Sequence, residues 1–438
     1  MTVDPNTAAD PNAAASPATS VPAIPPASPA SSVRFVGDSR TYWRLLIRGA
    51  ALLAVTLGIY RFWFATDVRR FLWSNTEVAG ETLEYTGTAY ELLIGFLIAL
   101  ALLVPLYVGL AIAALAFGTV GQIAGVLSFP LLAFLGQFAV YRARRYRLTR
   151  TVYRGVRFHQ DGSALRFALC AMIWWTLTAL TLGLAYPFAQ SRLERFKMRH
   201  TYYGNLLGRF EGSGLRLFAR GLPMWAVTMG PLLFALIYAV ANVEWDKLTA
   251  AAEAAGSASE FINQLESVSP HLYTAIVISI TAISVSILMA TILFPVFQAM
   301  MMRWWMSGLR FGTLTVRSHL RTGAIYGAYL RLLWYGLLFA TAVGIAAGVL
   351  FTSVGEMVKH FEGPAEVVGA VGGLITYVVM MLGYSAIYQG TVKFALWRHG
   401  AESVELEGVA ALDAVTAEGT PSSAVGEGLA DALNVGGF

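Results

Sequence analysis

The stretch LAVTLGIYRFW, residues 53–63, has a near copy in TALTLGLAYPF, residues 178–188. Both set Thr-Leu-Gly inside an apolar run, and both runs have arginines on either side. An apolar run broken twice at the same place, with positive charge at both ends, does not fit a plain series of membrane crossings. Thr56-Leu57-Gly58 and Thr181-Leu182-Gly183 are therefore read as the tips of helical hairpins. Pro187 suits the first turn of a returning helix, where its missing N–H costs nothing.

Composition sets the frame for that reading. The chain is 56% hydrophobic and 13% charged over 438 residues, against about 25% charged in a soluble domain. Apolar segments lie near 42–64, 92–116, 120–141, 167–189, 221–243, 272–298, 332–354 and 367–389. Most exceed the ~18 residues needed to cross a bilayer, so the chain reads as a polytopic membrane protein. A formal charge of +5, with its basic residues beside apolar segments, argues against nucleic acid as a partner and leaves the lipid bilayer as the main one. The single cysteine, Cys170, excludes an internal disulfide and any multi-cysteine metal site. Residues 1–32 are rich in Pro, Ala and Ser, and read as a disordered tail. Residues 409–438 read as a second, acidic and solvated tail, leaving 33–408 as the membrane domain.

Charge asymmetry then orients the segments. The connections 142–166, 190–220 and 299–331 are basic, whereas 244–270 and 355–366 carry more acids than bases. The first three belong inside and the last two outside. A single apolar segment, 167–189, joins two inside connections, so it must enter and return. The segment 42–64 behaves alike, although Arg61 sits awkwardly close to its tip. With both re-entrant, every Lys and Arg except Lys247 and Lys359 lies inside, as do both termini. A kinked ordinary span or an in-plane amphipathic helix is the alternative. Irregular backbone at membrane depth is tolerated only where protein buries it or a wet cavity faces it, so two tips suggest a central cavity.

The tips belong to a larger pattern. A shift of 125 residues superposes Thr56-Leu57-Gly58 on Thr181-Leu182-Gly183, Arg70-Phe71 on Arg195-Phe196, Thr76 on Thr201 and Gly87 on Gly212. A shift of 108 brings Pro187, Gln190, Arg195 and Gly204 onto Pro295, Gln298, Arg303 and Gly312. After each membrane segment comes a basic-aromatic stretch and then a short alternating run: TLEYTG, GVRFHQ, GRFEG, TLTVRS and SVELEG, with VRFVG before the first hairpin. Alternation ended by Gly or Ser reads as a strand. The fold class that follows is mainly α: six full spans, two re-entrant or interfacial helical hairpins, and a small cytoplasmic β sheet or barrel of six short strands. Four GxxxG pairs, at Gly121/Gly125, Gly323/Gly327, Gly344/Gly348 and Gly369/Gly373, suit close helix packing.

TLGIYRFWFATDVRRFLWSNTEVAGETLEYTG, residues 56–87, and YRLTRTVYRGVRF, residues 146–158, resemble the YjgN-like family of bacterial inner-membrane proteins, built on a domain of unknown function. The resemblance covers roughly 33–400. It implies a multi-pass protein of the bacterial inner membrane and supplies no activity, cofactor or catalytic residue.

No HExxH, Walker, GxSxG or GxGxxG motif is present, and the six histidines are scattered. The expectation is therefore no enzyme, no metal and no cofactor. The apolar runs hold no mid-span Asp or Glu, which lowers the prior for ion coupling. The repeated inner-face residues Arg69, Arg70, Asn75, Thr76, Arg195, His200 and Arg303 are rim candidates below the tips, with helix caps and salt bridges as the competing reading. A passive transporter or channel ranks first. A structural or regulatory scaffold that recruits a cytoplasmic partner or forms a homo-oligomer comes next, and a lipid-modifying enzyme ranks behind.

Overall fold

The computed structural model describes residues 31–116, 118–254, 270–359 and 365–435. The expected N-terminal tail therefore lies outside the described residues except for 31 and 32.

Ten strands form a closed barrel: β1 Ser31–Phe35, β2 Thr76–Val78, β3 Glu81–Tyr85, β4 Thr151–Tyr153, β5 Val156–Gln160, β6 Thr201–Tyr203, β7 Leu206–Phe210, β8 Leu309–Phe311, β9 Leu314–Ser318 and β10 Val404–Glu407. Every pairing is antiparallel. Six of these are the alternating runs expected from sequence. The other four, β2, β4, β6 and β8, are corrections to that count. Each is three residues long, too short to show alternation, and each turns through two residues into the next strand. Ala79-Gly80 and Arg154-Gly155 both hold positive φ, 50° and 87° in one, 48° and 75° in the other. That geometry matches the twist of paired strands and normally takes Asn or Asp first, so Ala and Arg concealed the hairpins.

Four hairpins plus the β10–β1 pair, which unites the two ends of the barrel sequence, give five two-stranded units. Alternate residues point inward. Val33, Tyr153, Tyr203, Leu314, Val316, Val404 and Leu406 form one buried cluster, with Val78, Leu83, Phe158 and Phe311 packed on it. The Tyr203 hydroxyl donates to the Tyr153 carbonyl and the Tyr153 hydroxyl to the Val78 carbonyl, both at 2.9 Å. The lumen is thus a packed core, and closure leaves no free strand edge.

Each outgoing strand feeds a helix pair that returns to the neighbouring strand. All five pairs therefore leave from one end of the barrel, and the two-residue turns mark the other. Two pairs are short: α1 Ser39–Val55 with α2 Arg61–Ser74, and α5 Ala164–Leu180 with α6 Tyr186–Met198. Three are long: α3 Ala89–Ala116 with α4 Gly118–Thr149, α7 Gly214–Asn242 with α9 Pro270–Ser307, and α10 Thr322–Lys359 with α11 Ala365–Tyr388. The short α8, Trp245–Ala254, follows α7, and α11 continues through a π-helical turn, Gln389–Lys393, into α12, Phe394–Glu402. Six helices of the long pairs are long and apolar enough to cross a membrane. The short ones have 13 to 17 residues, about 20–25 Å at 1.5 Å per residue.

The two short pairs match element for element at the 125-residue offset, from β1 and β5 through to β3 and β7. Their tips match too. Leu57 and Leu182 have φ of 49° and 50°, Gly58 and Gly183 of 90° and 92°. Thr56 Oγ1 donates to the Leu52 carbonyl at 2.7 Å and accepts from Tyr60 N at 3.0 Å. Thr181 Oγ1 does the same with Leu177 and Ala185, at 2.8 and 3.0 Å. The threonine ties off one helix and starts the next, and the glycine supplies the left-handed turn.

The tips do not share the cavity expected between them. Leu57 is 94% exposed and nothing lies within 4 Å of a Cβ on Gly58. The second tip instead leans on α7, where Trp225 Nε1 donates to the Leu182 carbonyl at 2.7 Å. The GxxxG pairs at 323/327, 344/348 and 369/373 also meet nothing within 4 Å, whereas Gly121 alone of the first pair approaches α3, at Ala113 and Ala114.

The largest correction concerns the acidic C-terminal segment, which is folded rather than solvated. After β10, Gly408 passes the turn at Thr313, and Leu412 is buried in the lumen cluster. Asp413 pairs with Arg154 at 2.7 Å. Thr416 exchanges hydrogen bonds with Asn205, each at 3.2 Å. The segment thus crosses the turn-bearing mouth of the barrel and touches three of its four turns. It then runs back past His159 at Gly419 and past Thr149 at Ser422, and ends in α13, Val425–Ala432. That helix packs on α3 and α4, with Gly426 against Arg142 and Ala430 against Ala139 and Ala143.

Candidate functional site

The end of the barrel from which the helices rise is ringed by arginines at constant spacing. Arg70, Arg145, Arg195 and Arg303 each lie six residues before a returning strand that starts at 76, 151, 201 and 309. Each donates to the carbonyl 17 residues further on: Gly87 at 3.0 Å, Gly162, Gly212 at 3.3 Å and Leu320 at 2.7 Å. Arg398 holds the same place before β10 and pairs with Glu402 at 2.9 Å. The guanidinium fork thereby ties the arriving helix to the residue that precedes the next departing one.

Thr76, Thr151 and Thr201 close the arriving helices by donating to Leu72, Arg147 and Lys197 carbonyls at 2.7–2.9 Å. Trp397 and Trp73 bind Thr76 and Thr151 from the neighbouring units, both at 3.0 Å. Asn75 donates to the Phe71 carbonyl at 2.7 Å, and His200 is tied to the Phe196 carbonyl at 2.8 Å. Each rim candidate therefore has a protein partner. Both the spacing of 17, repeated in four units, and the arginine six residues before the strand, repeated in all five, are present in the sequence, but only the strand assignment makes them legible.

One residue earlier in the same helices, the side chains turn inward and build an ionic cluster. Arg69 pairs with Glu427 of α13 and donates to the Tyr85 hydroxyl at 3.1 Å. Arg147 approaches the other Glu427 oxygen at 3.9 Å. Glu194 pairs with Lys197, lies 3.9 Å from Arg144 and accepts from Trp305 Nε1 at 3.2 Å. Burial alone would raise the Glu194 carboxyl, but Lys197 and Arg144 outweigh it and hold the group below the usual carboxylate range. Burial would likewise lower the Arg69 guanidinium, yet Glu427 and Tyr85 raise it above its usual value. Four cations thus surround two carboxylates, and Glu427 comes from the C-terminal segment that the sequence reading set aside as a tail. A cavity of about 210 Å³ adjoins them through Arg69 and Glu427, and its walls also include Arg61, Lys393 and Asp431. There Arg61, the awkward residue near the first tip, pairs with Asp431. Chemically these groups fix an anionic partner in place, and the partner present is α13.

The chain matches, over residues 30–432, a family described as bacterial protein of unknown function, DUF898. It is also similar to the inner membrane protein YjgN of Escherichia coli O157:H7, 29% identical over 149 residues. That match covers 34% of each chain, so the chain spans about a third of the length of this curated relative. No solved structure matches. Six helices among the described residues are long and apolar enough to cross a membrane, and the chain belongs to the DUF898 family of bacterial proteins of unknown function.

Proposed function

We propose that this protein is a non-enzymatic membrane scaffold whose barrel stands in the cytoplasm and is held shut by its own C-terminal segment. The observation that carries the reading is the barrel itself: its lumen is filled by Tyr153, Tyr203, Phe158 and Phe311, and its far mouth is crossed by residues 408–416. A filled, strapped ring suits holding helices and partners in register. Arginines crowd the helix ends nearest the barrel, which favours the cytoplasmic side, and both chain ends then share that side. The 125-residue correspondence supports an internal repeat. The helices of both short pairs, 13 to 17 residues long, fall short of the 24- to 38-residue helices of the long pairs, which supports re-entrance. The glycine pairs left open in this chain suit a second copy, and the strap is the element that a cytoplasmic partner would displace.

Passive transport is the second reading, favoured by the two matching half-height tips, a device of many transporters. Solute release from proteoliposomes separates the two. The scaffold reading expects vesicles that hold wild-type protein and are loaded with small ions to leak no faster than protein-free vesicles with the same load. Leak above that level, altered by Gly58→Leu or Gly183→Leu at normal protein content, would replace it with transport.

A further inference from the structure

A second basic site lies away from the ionic cluster, where α7 and α9 meet the barrel. It is a cavity of about 530 Å³ whose walls include Arg216, Arg220, Arg303, Arg310 and a single acid, Glu211. Arg310 is engaged with Glu211 at 3.2 Å and Arg303 with the Leu320 carbonyl at 2.7 Å. Arg216 and Arg220 are exposed, and among the described residues no carboxylate pairs with them. Four arginines around one cavity with a single acid among them fit an anion supplied from outside the chain. The first turn of α7, capped by Ser213, opens beside them, and a helix start favours negative charge.

The same two helices line an apolar groove of about 390 Å³, walled by Phe218, Trp225, Phe294, Phe297 and the second hairpin through Gly183 and Pro187. The two spaces adjoin: Met300, which lines the basic cavity, has its Cε 3.8 Å from the Cβ position of Gly221, which lines the groove. A phosphate-seeking cavity at the membrane end of a basic helix connection, next to a greasy groove along a spanning pair, has the two-part chemistry of a phospholipid.

We infer that this chain holds an anionic phospholipid between α7 and α9, its phosphate against Arg216 and Arg220 and an acyl chain in the Phe218–Phe297 groove. Basic pockets of this kind between spanning helices recognise anionic headgroups. The site stands whether or not the protein is a scaffold, because the test reads lipid retention and not partner binding or flux. Full-length protein is purified in mild detergent and titrated with phosphatidylglycerol or phosphatidylcholine, with native mass spectrometry counting retained lipid. Phosphatidylglycerol should be retained preferentially, and the Arg216→Gln/Arg220→Gln variant should bind it roughly thirtyfold more weakly. Arg192→Gln, which removes an exposed arginine of α6, should leave retention unchanged. Retention that does not distinguish the two lipids, or that survives the double substitution in protein of normal melting temperature, overturns the assignment. So does full displacement of lipid by millimolar inorganic phosphate, which would make the site one for the free anion.

Discussion

Glu427→Ala is expected to free the C-terminal helix from the membrane domain. The substitution leaves the buried Arg69 and the half-buried Arg147 without the carboxylate that both face. Breaking one side of a buried ion pair costs about 3–5 kcal/mol, and the helix that this pair anchors has only eight residues. Cleavage by a soluble protease within 409–424 should rise by orders of magnitude while the barrel and long helices stay intact. Gly428→Val reaches the same end by shape alone, since a Cβ there would lie 1.9 Å from the Gly95 carbonyl carbon. If both variants resist protease as wild type does, the segment is not held by the ionic cluster, and the strap loses its latch.

Tyr203→Ala is expected to damage the barrel more than any substitution on its outer wall. Tyr203 is 2% exposed, packs against Phe158 with ring centroids 4.8 Å apart, and donates to the Tyr153 carbonyl. Emptying that volume should cost about 3–5 kcal/mol, whereas Tyr203→Phe removes only the hydrogen bond and should cost about 1–2 kcal/mol. Thermal unfolding of the full chain in detergent separates the two, with the alanine variant melting well below the phenylalanine one. Equal melting temperatures would mean that the aromatic lumen does not hold the ring together. The strap makes the same point from outside, because Leu412 rests on that cluster.

The sequence disclosed what depends on period and charge. Apolar length marked the long helices, Thr-Leu-Gly marked both tips, and alternation marked the six longer strands. What it concealed has physical causes. Strands of three residues carry no period, and Ala-Gly and Arg-Gly turns lack the usual Asn or Asp in first place. The clamps of Arg70, Arg145, Arg195 and Arg303 read as membrane-flanking charge until the carbonyls at 87, 162, 212 and 320 are placed beside them. The C-terminal segment looked like a solvated tail because it is small and acidic. Those same properties seat it here: Gly426 and Gly428 let α13 approach the backbone of α4 and α3, and Glu427 and Asp431 meet arginines.

The central claim is that every barrel strand lies on one side of the membrane and that both short pairs stop within it. Single-cysteine labelling in intact cells tests this most directly. In a Cys170→Ser background, Thr249→Cys in α8 reports the outside, Arg317→Cys on the outer wall of the barrel reports the inside, and Leu57→Cys and Leu182→Cys report the tips. With a membrane-impermeant maleimide, Thr249→Cys should label in intact cells and Arg317→Cys only after lysis. The two tip cysteines should label in neither, but should react once the protein is denatured. Labelling of either tip cysteine, or of Arg317→Cys, in intact cells would contradict the account.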